Sequence, residues 1–533
     1  MLLRTHRTVA EHATEWARTA CAIKGIDPDG ALAGEEWLSG PYAVLGALAA
    51  YAATVDALLR GRGPLDGFPI VDAPGGRRAV RVLPRDRSDR LLLSGLRADV
   101  WFPPGVGDDR IRRTAGLAQL DPTRNGGVGL VLGAGNITSI PPLDVLDQLL
   151  AHGRACLLKL NPITGPLLPV FRSALAPLVE AGLLRVHADE GLGPYLVRHR
   201  AVQHIHLTGS SATYHAILHG SDRSEDAVIR TPVTAELGGV APIVVVPGAW
   251  SAADLRHQAE HVATMRLHNN GYNCIAGQVL VLSADWPQRA AFLDEVRAAM
   301  LRAPRRPDYY PGSADRVHAA AQSHRGVIDL GGRLILTDLG PADPACRTEY
   351  FAPVLGVTVL PGTGLDFLRR AVDFANDRLA GTLGANIIAL PQQVRTPSFR
   401  RTLVDLRYGT IGVNAWTGVG FLTARAPWGA YPDETLTEPP DFDDGGGRPE
   451  DAGSGIGFVH NALLLDRPER TVVTGPFRVF PRSLLHGERS LLPRPPWFVG
   501  NRTATATCER LTRFAADPRW WRIPPILSSA LRG

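Results

Sequence analysis

Lysine is almost absent from this chain. Of 57 basic residues in 533, only Lys24 and Lys159 are lysine; every other one is arginine. The net charge is just +5 and no long run of one sign occurs, so nucleic-acid binding is not expected. Cysteine is scarce as well. Cys21, Cys156, Cys274, Cys346 and Cys508 are scattered, odd in number and never arranged as CxxC. That spacing offers neither a zinc site nor a disulfide framework, and a reducing, cytoplasmic setting is expected. The first residues have no signal-peptide apolar core. Tyr42 to Val55 is apolar and Ala-rich, but 14 residues are too few to span a bilayer. A buried helix, with no membrane role, is expected there. With 45% hydrophobic and 20% charged residues, the chain reads as soluble and globular, with room for two or three cores.

The pattern then organises itself. Residues 1–60 read as helical. Residues 61–127 look irregular and β-rich, with Arg77–Val82 alternating like a strand and Asn125-Gly126-Gly127 as a hairpin-type turn. From Val128 an α/β alternation begins: strands at 128–132, 155–160, 183–187, 202–207 and 242–246, with helices at 143–150, 167–181 and 193–200 between them. A second α/β block follows: helix 252–267, strand 277–283, helix 288–301, strand 354–359, helix 365–374, and strands 384–390 and 409–413. Strand–helix repeats of this length predict a doubly wound parallel sheet. Residues 432–465 read as a mobile loop and chain return, and 466–533 as a Trp-, Pro- and Arg-containing tail without an assigned role.

Several segments carry chemistry. Cys274 lies in a turn rich in Asn and Gly, Asn269-Asn270-Gly271-Tyr272-Asn273-Cys274, just before an apolar strand. Small, polar surroundings suit a reactive thiolate better than a core cysteine. Gly133-Ala134-Gly135 is half of a dinucleotide fingerprint. Leu207-Thr208-Gly209-Ser210-Ser211 is a small-residue turn leading into a helix, whose free N–H groups and dipole suit a phosphate. His204 and His206 face one side of a strand, but no third ligand accompanies them and no metal site is expected.

The segment Asn269-x-Gly271-x-x-Cys274-x-Ala276 resembles the nucleophile segment of the aldehyde dehydrogenase superfamily, with Tyr272 where the family usually has Gln. Glu236-Leu237-Gly238-Gly239-x-x-Pro242 resembles a second motif, and Glu349-Tyr350-Phe351-Ala352-Pro353-Val354 a third. Further matches fall at Asn136, Lys159, Thr208-Gly209-Ser210, Asn376, Asn414 and Pro427-Trp428-Gly429-Ala430. The resemblance covers roughly residues 105–430.

It implies an α/β fold of the aldehyde dehydrogenase type, with a Rossmann-type cofactor domain, an α/β catalytic domain and a small β oligomerisation element. The expected division is 1–239 for the N-terminal helices and dinucleotide-binding domain, with the β element near 105–127, and 240–431 for the catalytic domain. By the same resemblance Cys274 is the nucleophile, Glu236 the general base and Asn136 an oxyanion donor. Lys159, Thr208, Gly209, Ser210, Leu237, Gly238, Glu349 and Phe351 would hold NAD or NADP. Pro162 stands where NAD-preferring members often carry Glu, so NADP is expected to be tolerated or preferred. The implied reaction is oxidation of an aldehyde to a carboxylic acid through a cysteine-bound thiohemiacetal and thioester. The implied assembly is a homodimer or homotetramer. Two alternatives stay open: a coenzyme A-acylating enzyme or acyl-CoA reductase, suggested by the Gly-rich 133–136 segment, and a non-catalytic scaffold in which Tyr272 blocks the site.

Overall fold

The structure, a computed structural model, describes residues 1–121, 126–188, 190–219, 229, 231–432 and 453–533. Two sheets organise it. The six-stranded one runs in the order Gly455–Ile456, Val233–Leu237, His204–Gly209, Val128–Leu132, Ala155–Lys159, Leu184–His187. All its pairings are parallel except that of Gly455–Ile456. Val128–Leu132 is flanked on both sides by strands later in the chain, which makes it the topological switch point. In such sheets a crevice opens beyond the carboxyl ends of the strands at that point.

The eleven-stranded sheet has Ala241–Val245, Gly277–Ser283, Val354–Leu360, Gly384–Ile388 and Thr410–Val413 as its parallel centre. The central strands are Val-, Ile- and Leu-rich and buried throughout, as parallel strands covered on both faces must be. The chain crosses from one sheet to the other between Leu237 and Ala241.

Three expectations need correction, and the tail gains a place. The small β element is not near 105–127. It consists of Ile70–Ala73, Arg77–Leu83 and Arg97–Trp101, whereas Asp108–Thr114 is helical. Acidic residues at the start of that helix and arginines at its end suit the helix dipole better than a strand. The tail, to which the sequence assigned no role, packs on the body. Arg470–Thr474 pairs parallel with Thr410–Val413 and antiparallel with Arg97–Trp101, welding the β element to the large sheet within one chain. Residues 453–465 are bonded into the body, while 433–452 of the expected mobile loop, like Asn125 of the expected turn, lie outside the described residues. Finally, the apolar N-terminal run is longer than read. Ala33–Leu59 is helical on both sides of a kink at Gly40, within the π-turn Leu38–Tyr42, and is long and apolar enough by composition to cross a membrane. Val44, Leu45, Leu48 and Tyr51 are buried in the protein core beside the helix Ile140–Leu150, the pattern of a core helix.

Candidate active site

The loop around Cys274 is built on left-handed backbone. Asn269, Asn270 and Gly271 have φ of 52°, 54° and 80°. Asn tolerates this region and Gly favours it. A Cβ on Gly271 would lie 2.6 Å from the Arg266 guanidinium and 2.8 Å from the Ala352 carbonyl oxygen. Arg266, itself buried, donates to the Gly271 and Val354 carbonyls and clamps the loop from inside. A second clamp comes from the N-terminal helices. Lys24 Nζ donates to Glu36 at 2.8 Å and to Asn269 Oδ1 at 3.0 Å, while Glu35 accepts from the Asn269 N–H at 2.9 Å and pairs with Arg306. Lys24 thus has a structural task that its rarity alone did not disclose.

Tyr272 does not obstruct the site. Its ring is fully buried among Tyr309, Tyr310 and Phe351, and its hydroxyl donates to Ser313 or Asp308. Its carbonyl accepts from Asn136 Nδ2 at 2.9 Å. That bond uses one of the two amide hydrogens, leaves the other, and holds Asn136 beside Cys274 on a shared wall.

The Cys274 thiol donates to Glu236 Oε1 at 3.9 Å. The same oxygen accepts from the Trp428 indole N–H. Glu236 is buried, and its pKa is pushed up to about 8, first by desolvation and then by Asp144. Desolvation and the carboxylates of Glu236 and Glu349 push the Cys274 thiol well above its ordinary value, although backbone N–H groups of Cys274 and Ile275 oppose this. The resting pair is therefore neutral, and the thiol needs a base to lose its proton. The Trp428 contribution was not foreseen. Phe at that position would have no N–H to give.

A cleft of about 710 Å³ opens from Cys274 across the carboxyl ends of the six-stranded sheet. Asn136, Lys159, Thr208, Gly209, Ser210, Glu236, Gly238, Glu349 and Phe351 all line it with Cys274. Leu237 does not, because its side chain is in the core and its N–H is taken by the Ser454 carbonyl. Lys159 ends its strand at the cleft, and Ser210 accepts from the Thr213 N–H at the start of the helix Ser211–His219. A Cβ on Gly238 would fall 2.0 Å from a Glu349 carboxylate oxygen. Glu349 is half-buried, its pKa raised to about 7 by desolvation, and its buried Oε1 has no hydrogen-bond partner. Arg198 and Arg316 also line the cleft and escaped the sequence reading. Arg316 donates to the Tyr350 and Phe351 carbonyls and so fixes the loop that carries Glu349. With 55 arginines in the chain, nothing in the sequence distinguished these two.

On another side of Cys274 is a smaller apolar cavity of about 40 Å³, bordered by Leu38, Ile137, Ile140, Ile275, Trp416, Phe421 and Trp428 among others. No Lys, Arg, Asp or Glu is among the described residues on its wall. His268, which also borders it, is held neutral by burial, its pKa lowered to about 4.

Residues 125–316 match the aldehyde dehydrogenase family. The chain is similar to an NADP+-dependent D-glyceraldehyde dehydrogenase of Thermoplasma acidophilum, at 26% identity over 44% of this chain and 50% of that one. It is 25% identical to a geranial dehydrogenase of Castellaniella defragrans over 50% of this chain and 57% of that one. The match thus spans about half the length of these curated relatives. In fold it is similar to the γ-glutamyl-γ-aminobutyraldehyde dehydrogenase of Burkholderia cenocepacia, with a TM-score of 0.57 at 20% identity, covering 89% of this chain and 82% of that one.

Proposed function

We propose that the chain is a divergent member of the aldehyde dehydrogenase superfamily that oxidises an aldehyde to a carboxylic acid with NAD+ or NADP+. The observation that carries this reading is the Cys274 thiol donating to a buried carboxylate at the inner end of a large cleft. A nucleophile, a base within reach and an amide beside them are the parts an acyl-transfer site needs.

The cleft residues fit a nicotinamide dinucleotide. Gly238 leaves space that any side chain would fill, Glu349 presents a buried carboxylate oxygen without a partner, and Ser210 stands at a helix start suited to a pyrophosphate. Lys159 and Arg198 place cations on the wall, and Pro162 offers no carboxylate against a 2′-phosphate, which supports use of NADP. The named relative from Thermoplasma is itself NADP+-dependent. When bound, the nicotinamide supplies the hydride acceptor and, as a cation, favours thiolate over thiol.

The chain's own residues do the rest. Glu236 takes the Cys274 proton and the thiolate attacks the aldehyde carbonyl. The free N–H of Asn136 and the backbone N–H of Cys274 stabilise the oxyanion, a contribution of ~3–4 kcal/mol for a preorganised donor. After oxidation Glu236 removes a proton from water, which attacks the thioester and releases the acid. The uncharged 40 Å³ cavity supports a small apolar aldehyde rather than one with a distal carboxylate. We extend the reading to a cytoplasmic homo-oligomer, supported for the compartment by five free cysteines.

The test is absorbance at 340 nm with NAD+ or NADP+ and a panel of short apolar and carboxylate-bearing aldehydes, with and without coenzyme A. Reduced cofactor without coenzyme A, best with a short apolar aldehyde, is expected. Signal only with coenzyme A would replace hydrolysis by acyl transfer. Faster turnover of carboxylate-bearing aldehydes would reject the substrate class alone.

A further inference from the structure

The strand carrying Glu236 shares one face with a polar ladder that the chemistry above does not use. His204, His206 and Thr208 alternate along the neighbouring strand, and the register pairs His206 with Thr234 and Thr208 with Glu236. Period-two alternation puts all five side chains on one face. The Thr234 hydroxyl lies 2.9 Å from both His204 Nε2 and His206 Nδ1. The other nitrogen of His206, Nε2, is 3.6 Å from Asp144 Oδ2 on the helix Ile140–Leu150. Thr208 donates to that same carboxylate oxygen at 2.9 Å. His204, His206, Asp144 and Glu236 are all buried. At the far end the His204 ring stacks at 6.4 Å on His152, whose side chain is one-third exposed.

Such a seam is costly in a protein interior unless it is satisfied. Along it Glu236 Oε2, Asp144 Oδ1, both Asp147 carboxylate oxygens, His204 Nδ1, both His460 nitrogens and the Tyr51 hydroxyl have no hydrogen-bond partner. In folded proteins, buried polar atoms of this kind are bonded by internal water. A metal does not account for them: among the described residues no three His, Cys, Asp or Glu side chains converge as ligands.

We propose that this ladder carries away the proton that Glu236 collects, passing it through the Asp144–His206 pair and the Thr234 hydroxyl to His204, and to solvent beside His152. The proposal rests on Glu236 being the base. Only protons move. The O–H bond at Glu236 breaks and an N–H bond forms at neutral His206 Nε2, the proton crossing on internal water bonded to the unpartnered Glu236 Oε2 and Asp144 Oδ1. The Nδ1 proton of His206 goes to the Thr234 oxygen, whose own proton passes to His204. The released proton ends on water or buffer, and no electrons change hands.

The charges around His206 suit the task. Burial disfavours its imidazolium, but Asp144, Asp147 and Glu236 outweigh burial and leave its pKa above the ordinary value. His460, facing it from the returning chain, stays neutral, its pKa lowered to about 3 by burial and by His206. His204 is likewise neutral, its pKa pushed down to about 2 by burial and by the cationic forms of Arg154, His152 and His206, so it holds a proton only in transit.

The experiment uses the full-length enzyme. His206→Gln should leave cofactor binding and the first-turnover burst of reduced cofactor intact. It should lower steady-state kcat about tenfold at unchanged KM, and added imidazole should restore much of the loss. Thr234→Val, which breaks the ladder one step further out, should behave alike. A kcat within twofold of the parent in both variants overturns the proposal. So does a loss that extends to the burst and resists imidazole, because that marks a structural role. Glu236→Gln separates the two layers: parent-rate turnover in that variant rejects the base itself, whereas its failure beside an active His206→Gln rejects only the ladder. If no aldehyde in the panel is turned over, the pH dependence of Cys274 alkylation by iodoacetamide decides. The His206→Gln profile should move to higher pH by half a unit or more, and a superimposable profile overturns the proposal.

Discussion

At the scale of single residues, the site depends on one carboxylate held in an unusual state. As the proposed base Glu236 must be ionised, and desolvation pushes its pKa up to about 8. Activity limited by Glu236 should therefore rise with pH, up to tenfold per unit below 8, and level off above it. Trp428 lowers that pKa by donating to Glu236. Trp428→Phe keeps an aromatic ring but removes the N–H, so the inflection should move to higher pH; a profile that stays in place would show that the indole only fills space. Cys274→Ala should abolish turnover and leave cofactor binding within about threefold, as calorimetry can verify. Gly238→Ala should do the reverse. Its Cβ would collide with Glu349, so affinity for the dinucleotide should fall at least tenfold while iodoacetamide still labels Cys274. These residues were legible in the sequence because each sits in a short motif. The segment holding Trp428 was matched but its bond to Glu236 was not foreseen, and Arg316 and Arg198 were not singled out at all, because these roles depend on what lies across the cleft.

At the scale of elements, the loop that carries Cys274 is held by helices far away in sequence. Lys24 joins Glu36 and Asn269 in full burial, and Arg306 joins Glu35. Removing one partner of a buried pair strands the other. Lys24→Met should therefore cost about 3 kcal/mol in urea unfolding. Replacing Glu36 by Leu in the same chain should return most of it. If Lys24→Met costs under about 0.5 kcal/mol, the network is not what holds the loop. The sequence placed helices and strands here with fair accuracy: Ala252–Leu267 and Gly277–Ser283 begin and end where periodicity and the Gly277 break put them. It failed where elements are short or capped by tertiary contacts. The expected helix at 167–181 is interrupted at Leu175, before Pro177, and the strand Val233–Leu237 was read only as a motif. A five-residue strand containing Thr and Glu has little pattern of its own; it forms because His204–Gly209 and Gly455–Ile456 pair with it from either side.

At the scale of the whole molecule, the tail closes the structure. Arg470–Thr474 is the only link, among the described strands, between the β element at 70–101 and the large sheet. Arg470 is buried and donates to the carbonyls of Leu403, Val404 and Leu406 while pairing with Glu469, which also binds Arg77. Arg470→Ala would leave three carbonyls and a carboxylate short of a donor. It should lower stability by about 3 kcal/mol or more. A chain ended at Leu465 should elute as aggregate on size exclusion, since two strand edges would be laid bare. A monodisperse, active truncation would refute this view of the tail.

The sequence by itself determined what local chemistry can encode. The α/β alternation, the doubly wound parallel sheet it predicts and the Asn- and Gly-rich turn around Cys274 follow from spacing and from residue shape. Tertiary structure decided the rest. Only there does Trp428 reach Glu236, does Tyr272 turn into an aromatic cluster instead of the cleft, does His206 meet Asp144, and does the tail become a sheet strand. Each of these is a pairing between segments tens to hundreds of residues apart. Burial, which sets the protonation of Glu236, Glu349 and Cys274, exists only once those segments have come together.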